Sequence, residues 1–210
     1  MYTMFDLKSV QDGIYYFENV ISYETELLDL TNTIDLDEKS HIRIPKWEPW
    51  YSSNDMSTMY GQKKFINVSN LKKSTGDDLL DKNTLYIINS LLMAPEMCAI
   101  NFCKFNKIDQ SEINLDLNYI SLNRYDSGKG MGHHYDGQDG DSNLRYSFVV
   151  YLNDDYEGGE ISFPNQNVTI KPKAGSLVMF PSQQPYIHES KPVLSGVKYM
   201  YTTHWVNKTN

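Results

Sequence analysis

LRYSFVVYLNDDYEGGEISFPNQNVTIKPKAGSLVMFPS, residues 144–182, is a train of short apolar runs cut by turn residues. The runs LRYSFVVYL (144–152), EISF (160–163), NVTIK (167–171) and SLVMF (176–180) have the length of strands and are too short for helices. Between them lie NDDYEGG, PNQ and PKAG, so every connection carries Gly, Pro, Asn or Asp, the residues that tight turns need. The pattern continues upstream, with YISLNRY (119–125) and HHYD (133–136), and downstream, with YIHES (186–190) and VKYMYTTHWV (197–206). About eight short strands with such turns predict a mainly β protein with packed helices, its core a double-stranded β-helix or jelly roll.

The character changes near Asn118, and the whole chain reads as one domain: 1–118 helical and loop-rich, 119–206 the jelly-roll core. From Thr75 to about Ile108 apolar residues recur at helical spacing, at Leu79, Leu80, Leu85, Ile87, Ile88, Leu91 and Leu92, then Met97, Ile100 and Phe102. Asp77 or Asp78 is placed to cap this segment, and Pro95 is expected to kink or split it into two helices. Such helices would bury their stripe on an outer sheet face. Glu24–Leu30 reads as a further short helix. The aromatic stretch 43–61, with Trp47, Trp50, Tyr51 and Tyr60, reads as an ordered loop or irregular hairpin, a satellite core or a lid.

Composition narrows the function. The 210 residues carry a net charge of −8, and no basic stripe of the kind that grips phosphates appears, which argues against nucleic acid. The 16 Tyr favour β structure and pocket walls. Cys98 and Cys103 match no metal or redox spacing and read as reduced thiols on a buried helix. The N-terminus lacks a signal-peptide pattern, no apolar run reaches membrane-span length, and the sequons at Asn67, Asn167 and Asn207 read as accidental. The expected location is a reducing cytoplasm, with no membrane partner.

The chemistry concentrates in five residues. His134 and Asp136 are two apart, a spacing that on a strand projects both side chains from one face. His188, 52 residues beyond Asp136, stands on a distant strand that a jelly roll could bring face to face with the first. Two His and one carboxylate on one side of a metal form the facial triad of non-haem Fe(II) oxygenases, with three positions left open. His133 would point away from Asp136. Lys198 follows His188 by ten residues across the turn KPVLSG, as a hairpin partner for the same cavity. A buried ammonium suits the distal carboxylate of 2-oxoglutarate, and Tyr125, nine residues before His134, is placed to be a second donor.

Taken together, NRYDSGKGMGHHYD, LRYSFVVYLNDDYEGGEISFPNQ, KPKAGSLVMFPS and HESKPVLSGVKYMYTTHW resemble the catalytic domain of prolyl 4-hydroxylase-type 2-oxoglutarate oxygenases, over roughly residues 119–206. The resemblance implies Fe(II) held by His134, Asp136 and His188, and 2-oxoglutarate held by Lys198 and Tyr125. It implies a substrate-binding role for Arg145, which could equally pair with a surface carboxylate such as Asp141. It also implies O2 as co-substrate, ascorbate as a further cofactor, and a protein or peptide substrate, with peptidyl proline leading. The chain departs from the family pattern at Met131, where Tyr is common, at Ile161, where Thr is common, and at His204, where a Trp is usual. Trp205 comes one residue later, so either a β-bulge redirects it or the pocket wall differs.

Other readings stay in view. The loop DSGKGMG lacks the Ser or Thr and the following helix of a phosphate-binding loop, and reads as a flexible connection. A nucleic-acid demethylase on the same scaffold would be expected to use Arg rather than Lys198 and to carry basic surface. A non-catalytic jelly-roll binding module would not need the triad.

Overall fold

Residues 7–21, 28, 48–49, 64–67, 78–115, 120–137 and 143–207 are described by a computed structural model. Its strands are β1 (Leu7–Gln11), β2 (Ile14–Phe17), β3 (Glu48–Pro49), β4 (Lys64–Asn67), β5 (Ser121–Tyr125), β6 (Met131–His134) and β7 (Leu144–Tyr151). They continue as β8 (Glu157–Gly158), β9 (Ile161–Phe163), β10 (Val168–Ile170), β11 (Leu177–Pro181), β12 (His188–Ser190), β13 (Val193–Ser195) and β14 (Lys198–Val206). One long helix, α1 (Asp78–Asn106), precedes β5.

The strands form two facing antiparallel sheets. The major sheet has the order β1-β2-β11-β7-β14-β5-β4-β3 and the minor sheet β10-β9-β12-β6, with β13-β8 as a separate pair. This is the jelly roll expected from the turn spacing. The pair β13-β8 was hidden in the stretches KPVLSG and NDDYEGG, which read as turns; Val193 pairs with Gly158 and Ser195 with Glu157. The N-terminal part also contributes strands. Asp12 and Gly13 both take positive φ, 43° and 86°, and join β1 to β2, which pairs with β11. An Asp-Gly pair between alternating residues is the standard signal for such a hairpin. These strands depart from the helical and loop-rich character expected of 1–118. Of the other expectations there, Glu24–Leu30 apart from Leu28, 43–61 apart from Glu48–Pro49, and Asp77 lie outside the described residues.

Pro95 does not split α1: the helix runs unbroken across 29 residues with Pro95 inside it. A proline removes one intrahelical bond and strains the preceding turn. Here Leu91 and Ala94 before it, and Cys98, Ala99 and Phe102 after it, all enter one buried cluster with the major sheet. Anchoring both halves to the same surface holds the axis together. Phe102 stands edge-on to Trp205 at 6.3 Å and packs on Tyr146 at 5.0 Å. Each such ring, fully buried, contributes about 1.5–3 kcal/mol. Cys98 and Cys103 are buried free thiols in this layer, as expected.

Strand β14 decides how the layers divide. Tyr199, Tyr201 and Trp205 face α1. Lys198, Met200, Thr202 and His204 face the space between the sheets. There a second cluster forms from Ile161, Phe163, Val168 and Ile170 of the minor sheet and Tyr125, Val149, Tyr151, Val178, Phe180 and Met200 of the major one.

Candidate active site

His134 ends β6 and His188 opens β12. They are direct cross-strand partners in the minor sheet, with ring centroids 4.3 Å apart. The expected arrangement, face to face across the interior, does not occur; they are side by side in one sheet. Neither is Asp136 on a strand. It sits in the turn after β6, and this turn, rather than strand alternation, brings it back beside His134. The register of β6 against β12 shifts between His188 and Ser190, so Gly132 and His133 together oppose one partner residue. Bulges of this kind re-aim side chains beside active sites.

Asp136 Oδ1 lies 3.4 Å from His134 Nε2 and 3.8 Å from His188 Nε2, and the three ligand atoms all lie within 4.8 Å of one another. Metal bonds of about 2.0–2.2 Å place neighbouring donors about 3 Å apart, so a modest tightening closes the triangle on one ion. Each imidazole is held at its other nitrogen. His134 Nδ1 is 2.8 Å from the Gly132 carbonyl and His188 Nδ1 is 3.2 Å from that of Tyr186. A carbonyl only accepts, so Nδ1 donates to it, and Nε2 is the nitrogen turned toward Asp136 and placed to meet a metal. Burial, with His134 alongside, lowers His188 to about 4, which keeps it neutral and able to bind metal at neutral pH. Burial alone would raise Asp136, but His188, His134 and His204 outweigh it and hold the carboxyl well below the usual range.

The second oxygen of Asp136 is held separately. Ser147 Oγ donates to Oδ2 and contacts Ser182 Oγ at 2.8 Å, and His204 Nε2 approaches Oδ2 at 3.4 Å. His133 points away, as expected, and meets Glu189 at 3.8 Å.

The ligands form part of the wall of a cavity of 160 Å³, with Lys198, Tyr125, Tyr151, Ser190 and Thr202 among the other residues. Lys198 is fully buried on the major sheet, paired in register with Tyr125. It is therefore not the hairpin partner of His188. It crosses from the opposite sheet, donating to Ser190 Oγ on β12 at 2.9 Å and to the Gly159 carbonyl at 2.8 Å. Gly159 has φ +68°, and a Cβ there would stand 2.8 Å from the Tyr156 ring and 3.2 Å from Lys198 Cδ. Glycine is what lets this carbonyl reach the ammonium. Burial, reinforced by Asp136, pushes the Tyr125 phenol up, so it remains a proton donor; its hydroxyl is 3.9 Å from Met131 Sδ. Met131 and Ile161 both line the cavity, so both departures from the family pattern give apolar wall.

Arg145 is not among the residues lining the cavity. It donates to Glu112 at 2.9 Å and stacks over Trp205 at 4.8 Å. Asp141, the partner considered for it, lies outside the described residues. Trp205 is buried on the helix side, its indole N–H donating to the Glu112 carbonyl at 2.9 Å. The register of β14 against β7 shifts only between Trp205 and Val206. The bulge thus comes too late to turn Trp205 inward, and His204 forms the pocket wall. The connection 126–130, expected to be flexible, is pinned to β13, Gly128 N–H donating to Val193 O at 2.7 Å and Ser127 Oγ to Leu194 O at 2.9 Å.

With this geometry in place, comparison with known proteins is decisive for one segment. The sequence profile of the 2OG-Fe(II) oxygenase superfamily matches residues 120–207. This segment is a 2OG-Fe(II) oxygenase domain. No curated protein sequence matches the chain. A 2OG-Fe(II) oxygenase family oxidoreductase from Burkholderia pseudomallei is 15% identical, with a TM-score of 0.66 over 94% of this chain and 88% of its own. A prolyl hydroxylase from Trichoplax adhaerens, in complex with a hypoxia inducible factor oxygen degradation domain peptide fragment, is 19% identical, with a TM-score of 0.64 over 93% and 84%. A Pseudomonas putida prolyl-4-hydroxylase is 16% identical, with a TM-score of 0.56 over 96% and 95%. At these identities the likeness is one of fold, and it extends well beyond the oxygenase domain into the N-terminal part.

The oxygenase domain carries a donor set that fits its superfamily's requirements. Two imidazoles presenting Nε2 and an ionised carboxylate suit Fe(II). A buried ammonium in the same cavity suits the far carboxylate of 2-oxoglutarate. Ser147, Ser190 and Tyr151 carry no sequence signal for this site, and His204 stood only as the alternative to Trp205 for the pocket wall. His204 was within reach, because period-two alternation from Lys198 places residues 200, 202 and 204 on the same face.

Proposed function

We propose that the protein is an Fe(II)- and 2-oxoglutarate-dependent hydroxylase of an unactivated C–H, with a peptidyl proline as substrate. The observation that carries this reading is Lys198, a fully buried cation lining the same cavity as the His134–Asp136–His188 triangle. A buried ammonium is costly unless it serves an anion or a fixed network. In the bound state Fe(II), 2-oxoglutarate and O2 supply the oxidising chemistry, and the chain supplies position. His134, Asp136 and His188 would hold the metal from one side, their rings oriented by the Gly132 and Tyr186 carbonyls. Lys198 and Tyr125 would bind the distal carboxylate, with Ser190 and Gly159 fixing the ammonium. Met131, Val149, Ile161 and Met200 would keep water from the reacting centre.

A peptide substrate is favoured by the shared fold with the Trichoplax adhaerens prolyl hydroxylase, which binds a peptide fragment. The net charge of −8 and the choice of Lys198 weigh against a nucleic-acid substrate. Arg145 at the domain surface is assigned to the substrate, and ascorbate and a cytoplasmic location belong to the same proposal.

The test is anaerobic titration of the purified protein with Fe(II) and 2-oxoglutarate, followed by the visible charge-transfer absorption of the chelate. The band is expected in the wild type and absent in His188→Ala. Proline-containing peptides should then gain one oxygen with matching succinate release. Folded wild-type protein that never develops the band would overturn the reading in favour of a binding module.

A further inference from the structure

The side of Asp136 away from the two ligating imidazoles is as constrained as the side facing them. Oδ1 faces His134 and His188, whereas Oδ2 accepts from Ser147 Oγ and meets His204 Nε2 at 3.4 Å. Both of these contacts come from the major sheet, from adjacent strands β7 and β14, where Ser147 and His204 are direct cross-strand partners. Ser147 is itself fixed by Ser182, and the His204 side chain is only 12% exposed. The carboxylate is thus tied to the opposite sheet through the oxygen that faces away from His134 and His188.

We propose that His204, together with Ser147, is a positioning residue that keeps Asp136 a one-oxygen ligand by occupying its Oδ2. This rests on the iron site proposed above. A carboxylate can bind a metal through one oxygen or both. A carboxylate bound through both oxygens would take one of the three positions that a 2-oxo acid and O2 need. The carboxylate oxygen can only accept, so the contact is favourable when His204 Nε2 carries its proton. The donor pair therefore restrains both the rotation of the carboxylate and its second mode of binding. Ser147 supplies the shorter contact, and His204 approaches the same oxygen from the neighbouring strand. The next residue, Trp205, is committed to the helix-side core and cannot substitute.

The test uses Co(II), which fills Fe(II) sites and reports changes in its ligand set through its visible bands. Wild type, His204→Ala, His204→Gln and Ser147→Ala are titrated with Co(II) alone, with thermal melting run alongside. Loss of a partner that orients a ligand typically costs about 10–100-fold in metal affinity. His204→Ala is expected to fall in that range and to show shifted bands, as the second carboxylate oxygen replaces a metal-bound water. His204→Gln, which can return an N–H to the same oxygen, is expected to recover most of the affinity and the wild-type spectrum. Wild-type affinity and spectrum in His204→Ala would overturn the proposal while leaving the iron site standing. Equal weakening in His204→Gln and His204→Ala would overturn it too, by showing that bulk rather than the donor matters. Failure of the wild type to bind Co(II) or Fe(II) at all would overturn both the proposal and the iron site beneath it.

Discussion

The two buried layers of this protein lie on opposite faces of the same major sheet and are built for different ends. Toward α1 the sheet presents Phe148, Val150, Tyr199, Tyr201 and Trp205 to Leu91, Ala94, Cys98 and Phe102, an apolar packing layer. Toward the minor sheet the same strands present Ser147, Tyr151, Lys198 and His204 around a cavity. Adjacent residues on β14 thus serve opposite purposes, Trp205 for packing and His204 for the carboxylate of Asp136. The helix-side layer is where burial supplies stability, and the inter-sheet layer spends part of that stability on buried polar groups.

Substitutions can sharpen or break this division. The largest effect is expected from Asp136→Ala, which should reduce iron-dependent turnover to background while the protein stays folded. Residual turnover near the wild type would sink the ligand assignment. Next comes Phe102→Ala, expected to cost about 3–5 kcal/mol in denaturant unfolding yet leave Fe(II) affinity of the folded protein nearly unchanged. A parallel loss of metal binding would show that the layers are not independent.

Lys198→Ala should raise the KM for 2-oxoglutarate about 10–100-fold, the value of a charge-assisted bond, and weaken Fe(II) much less. Equal effects on both would mean that Lys198 organises the fold rather than the co-substrate. Metal-free protein should also lose stability on mild acidification. His188 is neutral in the fold down to about 4, while an unfolded histidine takes its proton near 6.5. Between those values the unfolded state binds more protons, so stability falls as pH drops through the window, by at most about 1.4 kcal/mol per unit. Chemical denaturation of the His188→Gln protein should show a shallower slope there; an unchanged slope would assign the effect elsewhere. The smallest structural effect is expected at Arg145→Ala. Its ion pair with Glu112 has side chains 30% and 53% exposed, and such pairs contribute less than about 1 kcal/mol. A substrate role predicts that uncoupled decay of 2-oxoglutarate survives while coupled hydroxylation drops. Loss of both would make the residue structural.

Much of this site was legible before the fold was known. His134, Asp136, His188, Lys198 and Tyr125 were named from residue type, order and spacing, and all line one cavity. The reasons given were partly different from the actual ones. Asp136 reaches His134 through a turn, His188 is a lateral neighbour of His134, and Lys198 arrives from the other sheet. The strand pair β13-β8 stayed hidden because its strands are only two and three residues long and lie among turn formers, and their pairing depends on partners far along the chain. The split considered at Pro95 does not occur, because packing of both halves on the major sheet offsets the local cost of the proline.

What the sequence by itself determined is local. Turn residues set strand lengths, period-two alternation set which face each side chain takes, and donor types set what the site can bind. Tertiary structure alone decided which strands became neighbours, and therefore that a carboxylate in a turn meets two imidazoles on one sheet and Ser147 and His204 on the other. Strand order and register join residues separated by many positions, and no local pattern carries that information.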